Sequence, residues 1–472
     1  MNSDKDKNQK YKRLIADTLI FAMGNLGSKI ILFFMVPLYT NYLTKEEYGT
    51  SDLVFTVAQL LVPFVSLVIF DAVLRFGLAN NANKENVLKS SFVVIAIGSI
   101  VTIAFTPFIQ LYNPLSEWRW YLCLYVILTL ISNVEMNYIK LIGHNKEYAI
   151  ISVFHTFVLA VANVIFLVKL HLGIKGYLLA TIMGCLTTVV LATFAGRIIS
   201  ALKRGIIERP LLYEMIRFST PLILNNVSWW IIQSSDKIMI EAMVGATALG
   251  LYTTATKIPS LINVIISIFS QSWGISSVKE YESSNEKGFY SKIFVSYSTL
   301  SFGAVICINS IVKPFMYIYV SNSFFESWRF VPLLLVSAAF SAVASYFGSL
   351  YGALKKSVNN MRSTLCAAII NIIVNYIGII LFDTWGAIIG TVVAYFILAM
   401  YRMIDVLKYI KFDPKWGNYI INVILAFVQA ICVLMGFHIY SVSIMTICIY
   451  IIVNRFVICK LFHMILKMIN RK

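Results

Sequence analysis

The feature that most constrains this chain is the recurrence of long apolar runs, from Leu14 to Met464, broken only by short polar stretches. A run of about 20 apolar residues, coiled as a helix, spans a hydrocarbon layer ~30 Å thick. Fourteen runs of that kind can be drawn, near 14–37, 50–77, 88–111, 119–140, 149–169, 175–198, 217–241, 248–275, 289–312, 328–351, 360–381, 385–405, 417–438 and 441–464. With 59% apolar and only 13% charged residues, the chain has too little polar surface to dress those helices for water. The expected fold is an all-α polytopic membrane protein with about fourteen transmembrane helices.

An even number of crossings puts both termini on one side. The start Met-Asn-Ser-Asp-Lys-Asp-Lys is polar, and Leu14 opens an apolar run without a small-residue cleavage pattern, so the first helix is expected to be retained. Cations that flank short loops resist translocation, which gives the orientation. One set of segments holds Lys5, Lys7, Lys10, Lys12, Arg13, Lys84, Lys89, Lys140, Lys146, Arg197, Lys203, Arg204, Arg209 and Arg217. Lys279, Lys287, Lys292, Lys355, Lys356, Arg362, Arg402, Lys408, Lys411, Lys415, Lys460, Lys467, Arg471 and Lys472 continue it. The opposite segments carry only Lys45, Arg119, Lys169, Lys175, Lys313 and Arg329, so both termini are expected in the cytoplasm. Topology thus accounts for most of the net charge of +17, with contact to anionic membrane lipids as a second gain, and no nucleic-acid binding is implied. The seven cysteines lie in or beside apolar runs without Cys-x-x-Cys spacing, which argues against disulfide or metal roles.

The longest charged interruption, 199–216, reads as a cytoplasmic linker between an N-lobe over 1–198 and a C-lobe over 217–410, followed by a C-terminal helix pair and tail over 411–472. A repeat supports the division. Asn41-Tyr-Leu-Thr-Lys-Glu-Glu-Tyr-Gly49 ends the first span and Ala242-Met-Val-Gly-Ala-Thr-Ala-Leu-Gly250 ends the seventh, with the two glycines 201 positions apart. At the same offset Asn25 falls on Asn226. Asn163 followed by Leu172-Gly-Ile-Lys-Gly176 echoes Asn375 followed by Asp383-Thr-Trp-Gly386. Two six-helix units of the same order imply two bundles about a pseudo-two-fold axis along the membrane normal, with a substrate site between them.

The segments Pro37-Leu-Tyr-Thr-Asn-Tyr-Leu-Thr-Lys-Glu-Glu-Tyr-Gly49 and Asp71-Ala-Val-Leu-Arg-Phe76 resemble the opening of polysaccharide repeat-unit flippases of the Wzx type, in the multidrug/oligosaccharidyl-lipid/polysaccharide (MOP) exporter superfamily. Ser235-Asp-Lys-Ile-Met-Ile240, Leu249-Gly-Leu-Tyr252 and Thr256-Lys-Ile-Pro259 add to the likeness, which covers nearly the whole chain in helix count and spacing. The resemblance implies a MATE-like, two-lobe transporter of the bacterial inner membrane. Its implied substrate is an undecaprenyl-diphosphate-linked oligosaccharide, moved to the outer leaflet by alternating access. A polysaccharide polymerase and chain-length proteins are the candidate protein partners.

A diphosphate head cannot cross hydrocarbon unaided, so its carrier needs a polar, cationic cavity. Charges at bilayer depth cost about 2.5–3.5 kcal/mol each on insertion scales and often mark a pathway. Lys29, Lys237, Lys257 and Arg455 are such charges, with Arg75 at a span end. Lys29 lies one helical turn from Asn25 and above Asp17; it either lines the cavity or is neutralised by a neighbouring carboxylate. In the eighth span Thr253, Thr256, Ser260, Asn263, Ser267 and Gln271 form a polar stripe beside Lys257, which either lines the path or packs helices. In the seventh, Asn226, Trp230, Gln233 and Lys237 share a face, while Asn225, Trp229 and Asp236 share another. Adjacent residues diverge by about 100°, so Lys237 is assigned to substrate and Asp236 to ion coupling or structural pairing.

Asn371 and Asn375, one turn apart, are oxygen donors that would complete a site for a hard cation with Asp236. Sodium at such a site is implied by the resemblance to lipid II flippases. Glu135, with Ser132 on its face, is a candidate proton carrier, so sodium or a proton is the candidate coupling ion and no other cofactor is expected. Asp71 and Arg75 are i,i+4 partners that either pair locally or place the guanidinium to receive a diphosphate. Arg455 is expected to be structural. Trp118, Trp120, Trp328 and Trp416 are placed for interfacial belts, Trp229 and Trp230 for packing or sugar stacking, and Pro63, Pro221, Pro259 and Pro332 near span ends.

An enzyme is disfavoured, because the largest outward loop, near 313–328, is short and His144, His155, His171, His438 and His463 are scattered. A multidrug or organic-cation exporter of the same fold is the nearer alternative, but its cargo calls for an acidic cavity. A membrane polysaccharide polymerase or transferase and a non-transporting scaffold stand further off.

Overall fold

The computed structural model describes residues 27–79, 82–282, 287–354, 356–410, 412–436 and 439–469, and it is helical without strands among them. The helices are α1 (27–42), α2 (Lys45–Ser66), α3 (Ile69–Gly77), α4 (Lys84–Ile109), α5 (Asn113–Ser116), α6 (Arg119–Leu141), α7 (Asn145–Asn163) with a π-helical extension (Val164–Lys169), α8 (Gly173–Ala195) and α9 (Ile198–Arg204). They continue as α10 (Arg209–Met243), α11 (Ala246–Glu282), α12 (Lys287–Tyr319), a 3₁₀ segment (Asn322–Arg329), α13 (Val331–Ala353), α14 (Ser357–Phe382), α15 (Thr384–Leu407), α16 (Trp416–Leu434) and α17 (Ile439–Ile469). Twelve of these helices are long and apolar enough to cross a membrane. Of the fourteen expected spans, the first falls partly outside the described residues. The seventh is the continuous helix α10, diluted by Asn225, Asn226, Gln233, Asp236 and Lys237.

Several helices are polar inside and apolar outside. On α14 the buried face carries Ser363, Thr364, Ala367, Asn371 and Asn375, while Ile369, Ile373, Tyr376, Ile377 and Ile380 are exposed. On α17 Ser443, Thr446, Tyr450 and Asn454 are buried while Ile444, Ile451, Ile452 and Phe456 are exposed. Water would reverse that arrangement; hydrocarbon favours it, because polar groups must then find partners within the protein. The chain is a multi-pass membrane protein.

The chain divides into two compact units, Met1–Trp230 and Ile231–Lys472, and the division falls inside α10. In the first unit α8 packs against α6 and α7, α6 against α2, α3 and α4, and Trp230 Nε1 donates to Thr56 O of α2 at 3.1 Å. The stretch expected as a linker is largely ordered helix. The turn after α9 sits on the start of α4, where Ile206 N–H donates to Asn86 Oδ1 at 2.9 Å, Lys89 Nζ to Gly205 O at 2.8 Å, and Arg204 pairs with Glu85 at 2.9 Å.

The second expected span departs from the sequence reading. It starts as expected for a capped helix, with Glu47 N–H donating to Thr44 Oγ1 at 3.1 Å and Thr44 N–H to Glu47 Oε2 at 2.8 Å. It then breaks between α2 and α3, because Leu67 and Val68 take left-handed φ of 50° and 54°. That conformation costs about 1–2 kcal/mol per non-glycine residue, and the break is held by Val68 N–H donating to Ser66 Oγ at 3.0 Å.

In the second unit α13 is central: 72% of its most apolar stretch is buried, against 28% for α14 and 22% for α17. α11, α12 and α15 pack on it, and Trp273 of α11 stacks on Tyr346 of α13 with centroids 4.8 Å apart. The last two helices pack on α12; reciprocal bonds between Asn422 and Asn454 at 3.2 and 2.8 Å fasten them to each other, and Gln429 to Ser310 at 2.9 Å fastens α16 to α12.

Candidate functional site

The polar centre of the second unit is assembled by four helices. Asp236 of α10 is 3% exposed; its Oδ2 accepts from the Tyr252 hydroxyl of α11 and from Thr391 Oγ1 of α15 at 3.4 Å, and its Oδ1 caps Lys237 N–H at 2.9 Å. One residue earlier, Ser235 Oγ donates to Asn371 Oδ1 of α14 at 3.0 Å, and Asn375 Nδ2 donates to the same oxygen at 3.2 Å. Asn371 and Asn375 are both fully buried, yet Asn375 Oδ1 and Asn371 Nδ2 have no hydrogen-bond partner. A buried amide oxygen left unpaired is costly unless something occupies the position next to it.

Gly390 of α15 makes room for that oxygen. A Cβ there would stand 1.9 Å from Asn375 Oδ1. Nearer the turn, a Cβ on Gly386 would meet the Gly378 backbone at 1.9 Å, so the two helices approach through bare backbone. The donor set is one carboxylate with hydroxyl and amide oxygens, the hard chemistry that suits a small cation. Among the described residues no group of three or more His, Cys, Asp or Glu side chains could hold a metal ion, so any cation here would depend on the neutral oxygens. Asp236, Asn371 and Asn375, singled out in the sequence, therefore come together; Tyr252, Ser235, Thr391 and Gly390 were not foreseen.

Glu135, the other carboxylate singled out, is 2% exposed in the first unit. Its partner is Thr193 of α8, which donates to Oε1 at 2.7 Å, while Oε2 is buried without a partner. Ser132 turns to Thr129 O instead, at 3.1 Å.

The cations and polar groups assigned to substrate divide between the units. Asn25 lies outside the described residues; Lys29 and Arg75 are exposed in the first unit. In the second, Gln233 and Asn263 are exposed and Lys237 and Lys257 half-buried. The polar stripe of α11 runs from fully buried Thr253 to exposed Ser260, Asn263 and Ser267, with Ser260 and Ser267 donating to the carbonyls of Lys257 and Val264. Gln271 has no described side chain.

Three expectations are corrected. Asp71 has Lys140 of α6 as its electrostatic neighbour rather than Arg75, because α3 packs on α6. Trp328 is buried at 6% exposure under Lys313, whose Nζ lies 5.0 Å from its ring, and so is no belt residue. Trp230, read as packing or sugar stacking, donates to the backbone of α2, in line with the packing reading. Arg402, counted with the cytoplasmic loop charges, is 1% exposed within α15. Arg455 is exposed over the Phe456 ring at 4.8 Å.

The fold is shared with solved membrane transporters. The fold resembles the lipid II flippase MurJ in an inward closed conformation, with a TM-score of 0.70 at 13% identity over 93% of this chain and all of that one. It also resembles an inward-facing multidrug resistance MATE family transporter of the MOP superfamily, with a TM-score of 0.66 at 17% identity over 82% of this chain and 96% of that one. In sequence, residues 14–274 match the family described as polysaccharide biosynthesis protein, and the chain belongs to that family. Protein 1 of the Lsg locus of Haemophilus influenzae is 24% identical over 263 residues, which is 54% of this chain and 63% of that relative's length.

Proposed function

We propose that the chain is a flippase that carries undecaprenyl-diphosphate-linked oligosaccharide units, precursors of O-antigen, capsule or a similar polysaccharide, from the inner to the outer leaflet of the bacterial cytoplasmic membrane. Both termini face the cytoplasm. The observation that carries this reading is membership of a polysaccharide biosynthesis family on a fold shared with a lipid flippase. Lys237 and Lys257 of the second unit receive the anionic diphosphate, and Lys29 and Arg75 are the candidate cations of the first unit. Gln233, Asn263 and the hydroxyls of α11 offer hydrogen bonds to the head group; Asn25, a further candidate, lies outside the described residues.

Alternating access needs an energy source, and the buried oxygens around Asp236 supply a place for one. Sodium held by Asp236, Asn371, Asn375 and Thr391 would bring positive charge to a carboxylate and an unpaired amide oxygen. Its release would leave both to be satisfied by movement of α10 or α14. Glu135 is the alternative carrier, for a proton.

The test is appearance of lipid-linked sugar on the outer leaflet in cells whose only such flippase is this chain. Lys29→Ala, Lys237→Ala and Lys257→Ala are each expected to abolish it at unchanged protein abundance. Full activity in all three overturns the cationic mechanism, and export of organic cations in place of lipid-linked sugar overturns the substrate.

A further inference from the structure

Arg402 is a fully buried charge that the proposed transport chemistry does not use. Its guanidinium joins three helices: Nε donates to Ser363 Oγ at 3.0 Å, Nη2 to Thr364 Oγ1 at 2.9 Å on α14, and Nη1 to Ala344 O at 2.9 Å on α13. Space has been left for it, since a Cβ on Gly348 of α13 would stand 2.6 Å from Nη1. Burying an arginine is costly, and a flat fork with fixed donors specifies direction in a way that a lysine cannot.

Its place in the hairpin gives that specificity a use. From the turn downward, Gly378 faces Gly386, Asn375 faces Gly390, and Thr364 and Ser363 face Arg402, one continuous antiparallel register. Arg402 stands three helical turns from Thr391 on the same face of α15, and Thr364 two turns from Asn371 on the same face of α14. The upper part of the seam is bare backbone against backbone, which allows close approach but offers no side chain to stop one helix sliding along the other.

We propose that Arg402 is the positioning residue of this hairpin: it fixes the axial register of α14 against α15 and thereby holds the Asn371–Asn375 pair opposite Gly390 and Thr391. The inference rests on the reading of that cluster as an ion site. Loss of Arg402 lets the seam slip and misplaces Asn375 Oδ1, so ion affinity falls even where the fold survives.

The test uses the purified full chain and sodium chloride against choline chloride, reading the sodium concentration that gives half-maximal thermal stabilisation. Arg402→Ala should raise that midpoint about 10-fold, the low end of what loss of an outer supporting contact does to ion sites. Asn454→Ala, which loosens the distant α16–α17 fastening, should lower Tm without moving the midpoint. Ser363→Ala and Thr364→Val each remove one anchor and should shift it in the same direction by less; they serve if Arg402→Ala does not fold. A second readout is independent of sodium. Cysteines placed at Ala367 and Leu398, which the same register brings opposite one another, should cross-link readily in the parent and several-fold less in the Arg402→Ala background. If sodium stabilises nothing while cross-linking still depends on Arg402, the ion site fails and the register claim stands. An unchanged sodium midpoint together with unchanged cross-linking overturns the proposal.

Discussion

Asn163 in the first unit and Asn375 in the second hold matching places in the repeat, each on the helix before a short loop that leads through Gly176 or Gly386 into the next. Both are fully buried, and each keeps an amide oxygen without a hydrogen-bond partner. Their surroundings differ. Asn163 donates to the Tyr39 hydroxyl at 3.3 Å and to Leu159 O at 2.9 Å, in a cluster where Tyr39 meets the rings of Tyr48 and Tyr177, and the helix widens into a π-turn directly after it. Asn375 donates to a second asparagine, faces a glycine, and shares its cluster with Asp236 and two hydroxyl groups bonded to that carboxylate. The buried acid of the first unit, Glu135, is on α6 and bonds to Thr193. The repeat has thus copied the backbone plan and the asparagine, while the position of the acid and the partners of the amide set what each half can bind.

Asp236→Asn should have the largest effect: removing the charge from the oxygen cluster should cost sodium-dependent flipping on the order of 100-fold, the upper end of the range for changes around a metal site, with protein abundance preserved. If flipping and its sodium response persist, the second unit is no more an ion site than the first. Gly390→Ala should come next. The added methyl meets Asn375 Oδ1 and should destabilise by about 1–3 kcal/mol, the range for overpacking, seen as a lowered Tm and a weakened sodium response.

Asn163→Ala sharpens the contrast from the other side. It removes neutral hydrogen bonds worth about 0.5–1.5 kcal/mol each, so a modest Tm loss with an unchanged sodium midpoint is expected. A shifted midpoint would show that both asparagines serve ions. Glu135→Gln keeps the shape and the Thr193 bond and should have the smallest effect, leaving flipping driven by sodium nearly unaltered. Loss of flipping there, with Asp236→Asn silent, would make the proton the coupling ion and reverse the assignment of the halves.

Much of the fold was legible because apolar length and polar breaks are one-dimensional signals, and twelve of the fourteen expected spans correspond to helices of the required length and composition. The break at Leu67–Val68 was not, since two aliphatic residues carry no turn signal and left-handed backbone there is held by a serine hydroxyl. The linker was read from its charge alone; its anchors, Asn86 and Lys89, are more than a hundred residues away in sequence.

At the candidate site the one-turn spacing of Asn371 and Asn375 was visible, as was Asp236. Thr391 was hidden because a threonine in a membrane helix ordinarily bonds back to its own helix, as it does here to Ala387 O at 2.9 Å. Arg402 was misjudged for a related reason. A cation close to a helix end reads as a loop charge, and only the convergence of Ala344, Ser363 and Thr364 from two other helices shows it to be interior.

The account is tested most directly in proteoliposomes that contain only this chain and a labelled undecaprenyl-diphosphate oligosaccharide, by counting the label reachable from the opposite leaflet under a sodium gradient. It predicts accumulation on one leaflet with the parent chain, collapse when the gradient is dissipated, and none with Lys237→Ala or Asp236→Asn. Label that stays put in parent vesicles able to move an organic cation would contradict it.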